Sequence, residues 1–114
     1  MNKTLDYVAA LKGIATSDAS TLSSLLEVQL ENIEQSGLDP RAHAFTRLGA
    51  LVALDAAPAS FIWQVKLALE SGLTKEEIVG VLVALAPTVG LAKIVSTAPE
   101  LAFALDVDLE AAFA

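Results

Sequence analysis

The apolar residues of this chain recur at helical spacing from one end to the other, and no stretch alternates with the period of a strand. A first short helix is predicted from about Thr4 to Ile14. Thr16, Ser17 and Asp18 then offer side-chain oxygens for an N-cap. The second helix places Leu22, Leu25, Leu26 and Ile33 on one face and Glu27, Glu31 and Glu34 on another, and Gly37 ends it. Asp39 and Pro40 restart the chain, the aspartate as cap and the proline in the first turn, where its missing N–H loses no bond. The third helix, to about Leu54, presents Phe45, Leu48, Leu51 and Val52.

A break from Asp55 to Pro58 leads into a fourth helix whose Phe61, Ile62, Val65 and Leu69 fall within one stripe at about 100° per residue. The junction after it is the clearest local signal in the chain. Gly72 stands where a helix C-terminus takes a left-handed residue. Thr74 stands at an N-cap, and Glu77 completes a capping box. The fifth helix, from Lys75, is apolar nearly all round, with Ile78, Val79, Val81, Leu82, Val83 and Leu85, so it requires cover on most sides. Pro87 and Gly90 are expected to end or kink it. A short helix follows from Leu91 to Val95, and Pro99 opens a last one with Leu101, Phe103 and Leu105. The pattern predicts an all-α chain, a compact bundle of about six helices forming one domain over residues 1–114.

Composition adds a partner to this picture. Apolar residues make up 54% of the chain and charged residues 18%, more apolar surface than one small core absorbs. The surplus predicts a homo-oligomer. With only 5% aromatics, its interface would be built from aliphatic side chains. The net charge of −7 argues against nucleic acid and against an anionic membrane surface as partners. No cysteine is present, which removes disulfides, thiolate metal sites and thiol redox chemistry together. A single histidine removes any multi-histidine metal site within one chain, and no cofactor is expected. The longest uncharged run, from Ile78 to Ala92, is about 15 residues, short of the roughly 20 that span a bilayer. Lys3, Asp6 and Lys12 interrupt the stretch where a signal peptide needs an apolar run, so the expected location is the cytoplasm.

Several of these segments together resemble a known family. Leu38-Asp39-Pro40, a helix carrying Arg47-Leu48, and the run Ala68-Leu69-Glu70-Ser71-Gly72-Leu73-Thr74-Lys75-Glu76-Glu77-Ile78 are similar to the carboxymuconolactone decarboxylase and alkylhydroperoxidase-D-like family. The resemblance covers about Leu38 to Val95. It implies a small all-α fold that assembles as trimers or hexamers. The peroxidase branch carries Cys-x-x-Cys-x-x-x-His, whose positions fall here on Ala57, Ser60 and Gln64, and its upstream glutamate falls near Phe45. The decarboxylase branch keeps the histidine as a proton-transfer group, and Gln64 does not titrate. The resemblance therefore implies a cysteine-free member without thiol peroxidase chemistry.

The residues left to carry function are few. By the resemblance, Ser60 and Gln64 line a pocket with Ala57 and Leu67; they orient a small ligand or satisfy backbone groups. Trp63 lies on the side of its helix opposite Phe61 and Val65, at an interface or a pocket rim. Arg47 pairs with an acidic residue or holds an anionic substrate. Lys93, the one charge from Ile78 to Thr97, snorkels to solvent or acts as a desolvated nucleophile or base. His43 is read as a solvated surface residue, or as a catalytic group that meets groups of another chain. Three functions are weighed. One is a non-redox protein whose apolar pocket at the fourth helix binds or acts on a small cyclic organic ligand. Another is a catalytically inactive structural or interaction homo-oligomer. The third is a decarboxylase or isomerase using Lys93 or His43.

Overall fold

The computed structural model describes residues 6–25 and 29–110. Among them are seven α-helices and no strand: α1 (Tyr7–Ala15), α2 (Ala19–Leu25), α3 (Gln29–Ser36), α4 (Pro40–Ala53), α5 (Pro58–Glu70), α6 (Lys75–Val89) and α7 (Leu91–Ala104). The all-α class stands. The predicted second helix corresponds to α2 and α3, on either side of residues 26–28. Leu26 and Glu27 lie outside the described residues. The residues fall into two compact units, Met1–His43 and Ala44–Ala114.

Helix starts follow the caps in the sequence. Asp6 Oδ1 accepts from the Ala9 amide at 3.1 Å, Asp18 Oδ2 from Thr21 at 3.0 Å, and Asp39 Oδ1 from Ala42 at 2.8 Å. Thr74 and Glu77 exchange both bonds of the capping box at the head of α6. Thr16, predicted within an N-cap cluster, instead closes α1, and Asp18 does the capping of α2.

Helix ends are less obvious in the sequence. Gly72 takes φ of 93°, as expected of a glycine stop. Ser17, Asp55 and Asp106 take the same left-handed conformation without glycine, with φ of 56°, 55° and 59°. At each of the four, paired backbone bonds close the last turn. After α7, for instance, the Asp106 amide donates to Phe103 O and the Val107 amide to Ala102 O.

In the unit Ala44–Ala114 the core is aliphatic around one ring. Leu48 and Val52 of α4, Phe61, Val65 and Ala68 of α5, Ile78 and Leu82 of α6, and Leu101 of α7 are buried together with Leu73 and Leu105. Helix α7 packs against both α5 and α6. Several predicted faces are rotated. Ile62 and Leu69 are exposed on α5, and Gln64 and Ala68 take their places in the core. Leu22 and Leu25 of α2 are exposed too. So are Val79 and Val83 of α6 and Phe103 of α7.

Gly90 ends α6 as expected, but neither proline divides the chain. Pro87 lies inside α6, which runs to Val89 and stops at Gly90, φ 92°. Pro99 lies inside α7, so the predicted short helix and last helix are one. An interior proline costs one i→i−4 bond. For Pro99 that bond would have gone to the carbonyl of Val95, a residue on the exposed side of α7. In the unit Met1–His43, α1 packs on α2 and has no buried residue.

Candidate functional site

Gln64 sits in the second turn of α5, in the core row Phe61, Gln64, Val65, Ala68. It is only 2% exposed. Its Oε1 accepts from Nε of Arg47 on α4 at 3.1 Å, which fixes the orientation of the amide. The amide nitrogen Nε2 is buried with no partner. Among the described residues Thr97 Oγ1 and Glu100 Oε2, both on α7, share that condition. An unmade bond of this kind costs about 1–3 kcal/mol. Arg47 is exposed and holds the amide, not an acidic side chain.

Ser60, predicted as the partner of Gln64 in a pocket, is exposed. It stands one turn before Gln64 but on the solvent side of α5. Trp63 is also exposed, off the core as expected, with Lys66 Nζ 5.8 Å from its ring centroid. The polar pair at α5 is therefore divided, one member inside and one outside.

Lys93 reaches back from the first turn of α7, and its Nζ donates to the carbonyl of Ala53 at 2.9 Å. That carbonyl ends α4, where a helix presents partial negative charge. The lysine acts as a C-terminal cap from a distant helix. His43 is corrected most plainly. It is 4% exposed, not solvated, and its Nε2 lies 2.8 Å from Asn32 Oδ1. The reason is its place at the start of α4, before Ala44 and in hydrogen-bond reach of α3.

Two concavities among the described residues bear on a ligand site. The first, about 180 Å³, lies between α6 and α7 and is roofed by the turn that follows α7. Its walls are Val79, Leu82, Ala98, Leu101, Ala102, Leu105, Val107 and Leu109, with no hydrogen-bonding side chain among them. The expected pocket at α5, lined by Ser60 and Gln64, is not where this cavity lies. Sequence reasoning passed over its wall. The signal was present in the spacing of Ala98 and Ala102, small residues one turn apart facing the larger Leu82. The second concavity, about 390 Å³ and open, lies in the first unit between α1 and α2, with Asp6, Ile14 and Thr21 among its walls.

Among the described residues no group of histidine, aspartate and glutamate is placed to hold a metal ion. No helix among them is long and apolar enough to cross a membrane. No family model, curated protein or solved structure matches this chain.

Proposed function

We propose that this is a non-redox protein of the carboxymuconolactone-decarboxylase-like kind that binds a small, uncharged cyclic organic ligand between α6 and α7. The observation that carries the reading is the wall of the cavity, aliphatic throughout. Such a wall selects by shape and by removal of apolar surface from water. At about 180 Å³ it has room for a single ring; an apolar cavity of about 150 Å³ engineered in another protein takes up benzene. With no hydrogen bond to anchor it, a ligand of this size is held in the micromolar to millimolar range.

The polar candidates lend less support to catalysis. Gln64 is engaged by Arg47, Lys93 by a backbone carbonyl and His43 by Asn32. The decarboxylase or isomerase reading, which needs Lys93 or His43 for proton transfer, is weakened by those bonds. A second reading, an interaction protein that assembles with its own copies and catalyses nothing, is favoured by the exposed aliphatic side chains of α6 and α7.

The test is a thermal shift series with benzene, toluene and cyclohexanone on the wild-type chain and on Ala102→Leu, which fills the cavity. Ring compounds are expected to raise the wild-type melting temperature, since ligand bound to the native state adds to stability. They should leave the filled variant unmoved. Equal shifts in both proteins, or none in either at saturating ligand, would overturn the cavity as the site.

A further inference from the structure

The cavity between α6 and α7 opens to water on one side. Of its wall residues, Val79, Val107 and Leu109 are 45%, 45% and 40% exposed, whereas Leu82, Leu101 and Leu105 are buried. The opening therefore lies between the first half of α6 and the turn that follows α7. A charged group carried by a ligand has no place inside. No wall side chain can bond to it, and an unpaired charge is costly to bury. Such a group stays at the mouth, where the surrounding charges attract or repel it.

Those charges are mostly negative. Asp106, Asp108 and Glu110 flank the wall residues Val107 and Leu109 in the chain, and all three are exposed. Adjacent Cα atoms lie about 3.8 Å apart, so these carboxylates stand within roughly a Debye length of the mouth, about 8 Å at physiological salt. Asp108 also shapes the turn, its Oδ1 accepting from the Glu110 amide at 3.0 Å. On α6, Lys75 and Glu76 come one turn before Val79, both exposed, and their opposite charges offset each other. The helix ends tilt the balance the same way. Leu105, the C-cap of α7, is a wall residue, so the partial negative charge of that helix end lies at the site. The positive end of α6 is already met by Glu77 of its capping box. An apolar cleft with charges of one sign at its mouth raises the local concentration of ligands of the other sign.

We propose that the mouth of this cavity selects ring compounds by charge, favouring a ring that carries a protonated primary amine and turning away a ring that carries a carboxylate, with Asp106 and Glu110 as the selecting residues. This inference rests on the cavity reading above and extends it from the ring to the substituent. The uncharged ring enters the aliphatic wall, and the ammonium stays in water beside the two carboxylates. Exposed charges act weakly one at a time, so the expected preference is roughly three- to ten-fold in Kd at low salt.

Benzylamine, ethylbenzene and phenylacetate share a ring and differ in the charge at the end of a short arm. Their Kd values follow from titrations read on the methyl shifts of Val79 and Leu82. In about 20 mM salt benzylamine is expected to bind three- to ten-fold more tightly than ethylbenzene, and phenylacetate more weakly than either. Asp106→Asn with Glu110→Gln removes both charges; asparagine tolerates the left-handed backbone at 106, and Asp108 keeps the turn. In that double variant, and in the wild type at about 300 mM salt, the three values should draw together while that of ethylbenzene stays put. Equal Kd values for benzylamine and ethylbenzene at low salt would overturn the charge selection and leave the cavity standing. A preference that the double variant retains would overturn the assignment to Asp106 and Glu110. Benzylamine binding that persists in Ala102→Leu would mean a cation held on the surface of an acidic chain, and would overturn the proposal. Ethylbenzene that fails to bind the wild type would overturn the cavity reading itself, and the proposal with it.

Discussion

Arg47 lies on the surface and Gln64 in the core, and Nε of the one donates to Oε1 of the other at 3.1 Å. The bond satisfies half of a buried amide and leaves Nε2 with no partner. Gln64 therefore sits in the core at a net cost, at the position where the family resemblance places a catalytic histidine.

Replacing it by an apolar side chain of similar length removes that cost. Gln64→Leu is expected to hold stability level or raise it by up to about 1 kcal/mol, since the orphaned Nε2 disappears and exposed Arg47 turns to water. Urea denaturation checks this. A loss of 2 kcal/mol or more, the scale of a broken buried network, would show that Nε2 is satisfied in solution.

Lys93→Met keeps the aliphatic stem and deletes the ammonium that caps α4 at Ala53. A loss of about 0.5–1.5 kcal/mol is expected, part of it hydrogen bond and part helix dipole. The dipole share should shrink as salt is added, while the bond share should persist. The same variant tests the catalytic reading, because a lysine that only caps a helix leaves ligand response unchanged when removed.

Asp106 closes α7 in the left-handed conformation, φ 59°, and places a negative charge at the negative end of the helix dipole. Both features cost free energy. Asp106→Gly relieves both, against the added freedom of glycine in the unfolded chain. A net gain of about 0.5–1 kcal/mol is expected, raising the melting temperature of a domain this size by about 2–8 °C. A scanning calorimeter reading lower than wild type would count against the closing turn as described.

Asp18 is held below the ordinary aspartate value of 3.8 by the hydroxyl of Ser20, then by the amide and hydroxyl of Thr21. All three donate to its ionised carboxylate. A lowered native value means the cap's contribution is fully present above the unfolded-state value near 4 and lost as pH falls through the native one. The stability difference between wild type and Asp18→Ala should thus be constant above about pH 5 and shrink below about pH 4. A carboxyl titration midpoint at or above 3.8 by NMR would contradict the three-donor cap.

Helix starts were the most legible part of the fold. Asp6, Asp18, Asp39 and Thr74 act within three residues of their own position, so their chemistry is complete in the sequence. Helix ends were half legible. Gly72 announces its stop, whereas Asp55 and Asp106 adopt the same backbone beside residues that the core holds. Ala56 is packed against that core, and Leu105 is buried within it.

Pro99 shows the limit of local rules. Its ring would end an isolated helix, but Thr97 and Leu101, buried on either side of it, hold α7 continuous.

The candidate site was legible as a list of residue types and not as an arrangement. No cysteine, one histidine and a charge-poor second half were plain in the sequence, and they exclude thiol chemistry whatever the fold. Which side of α5 faces inward was not plain, because Phe61, Ile62, Gln64, Val65 and Leu69 admit two stripes that differ by one rotation step. Packing against α7 chose the one that buries Gln64 and exposes Ile62 and Leu69.

Helical class, caps and the absence of redox groups follow from the sequence by itself, since each depends on residue identity or on neighbours a turn away. The partner of Lys93 is 40 residues distant, and the cavity joins side chains from two helices and the turn beyond them. Only the tertiary structure decided those. Burial belongs to the packing of whole helices, and a helix apolar on several sides carries no local sign of which side its neighbours will cover.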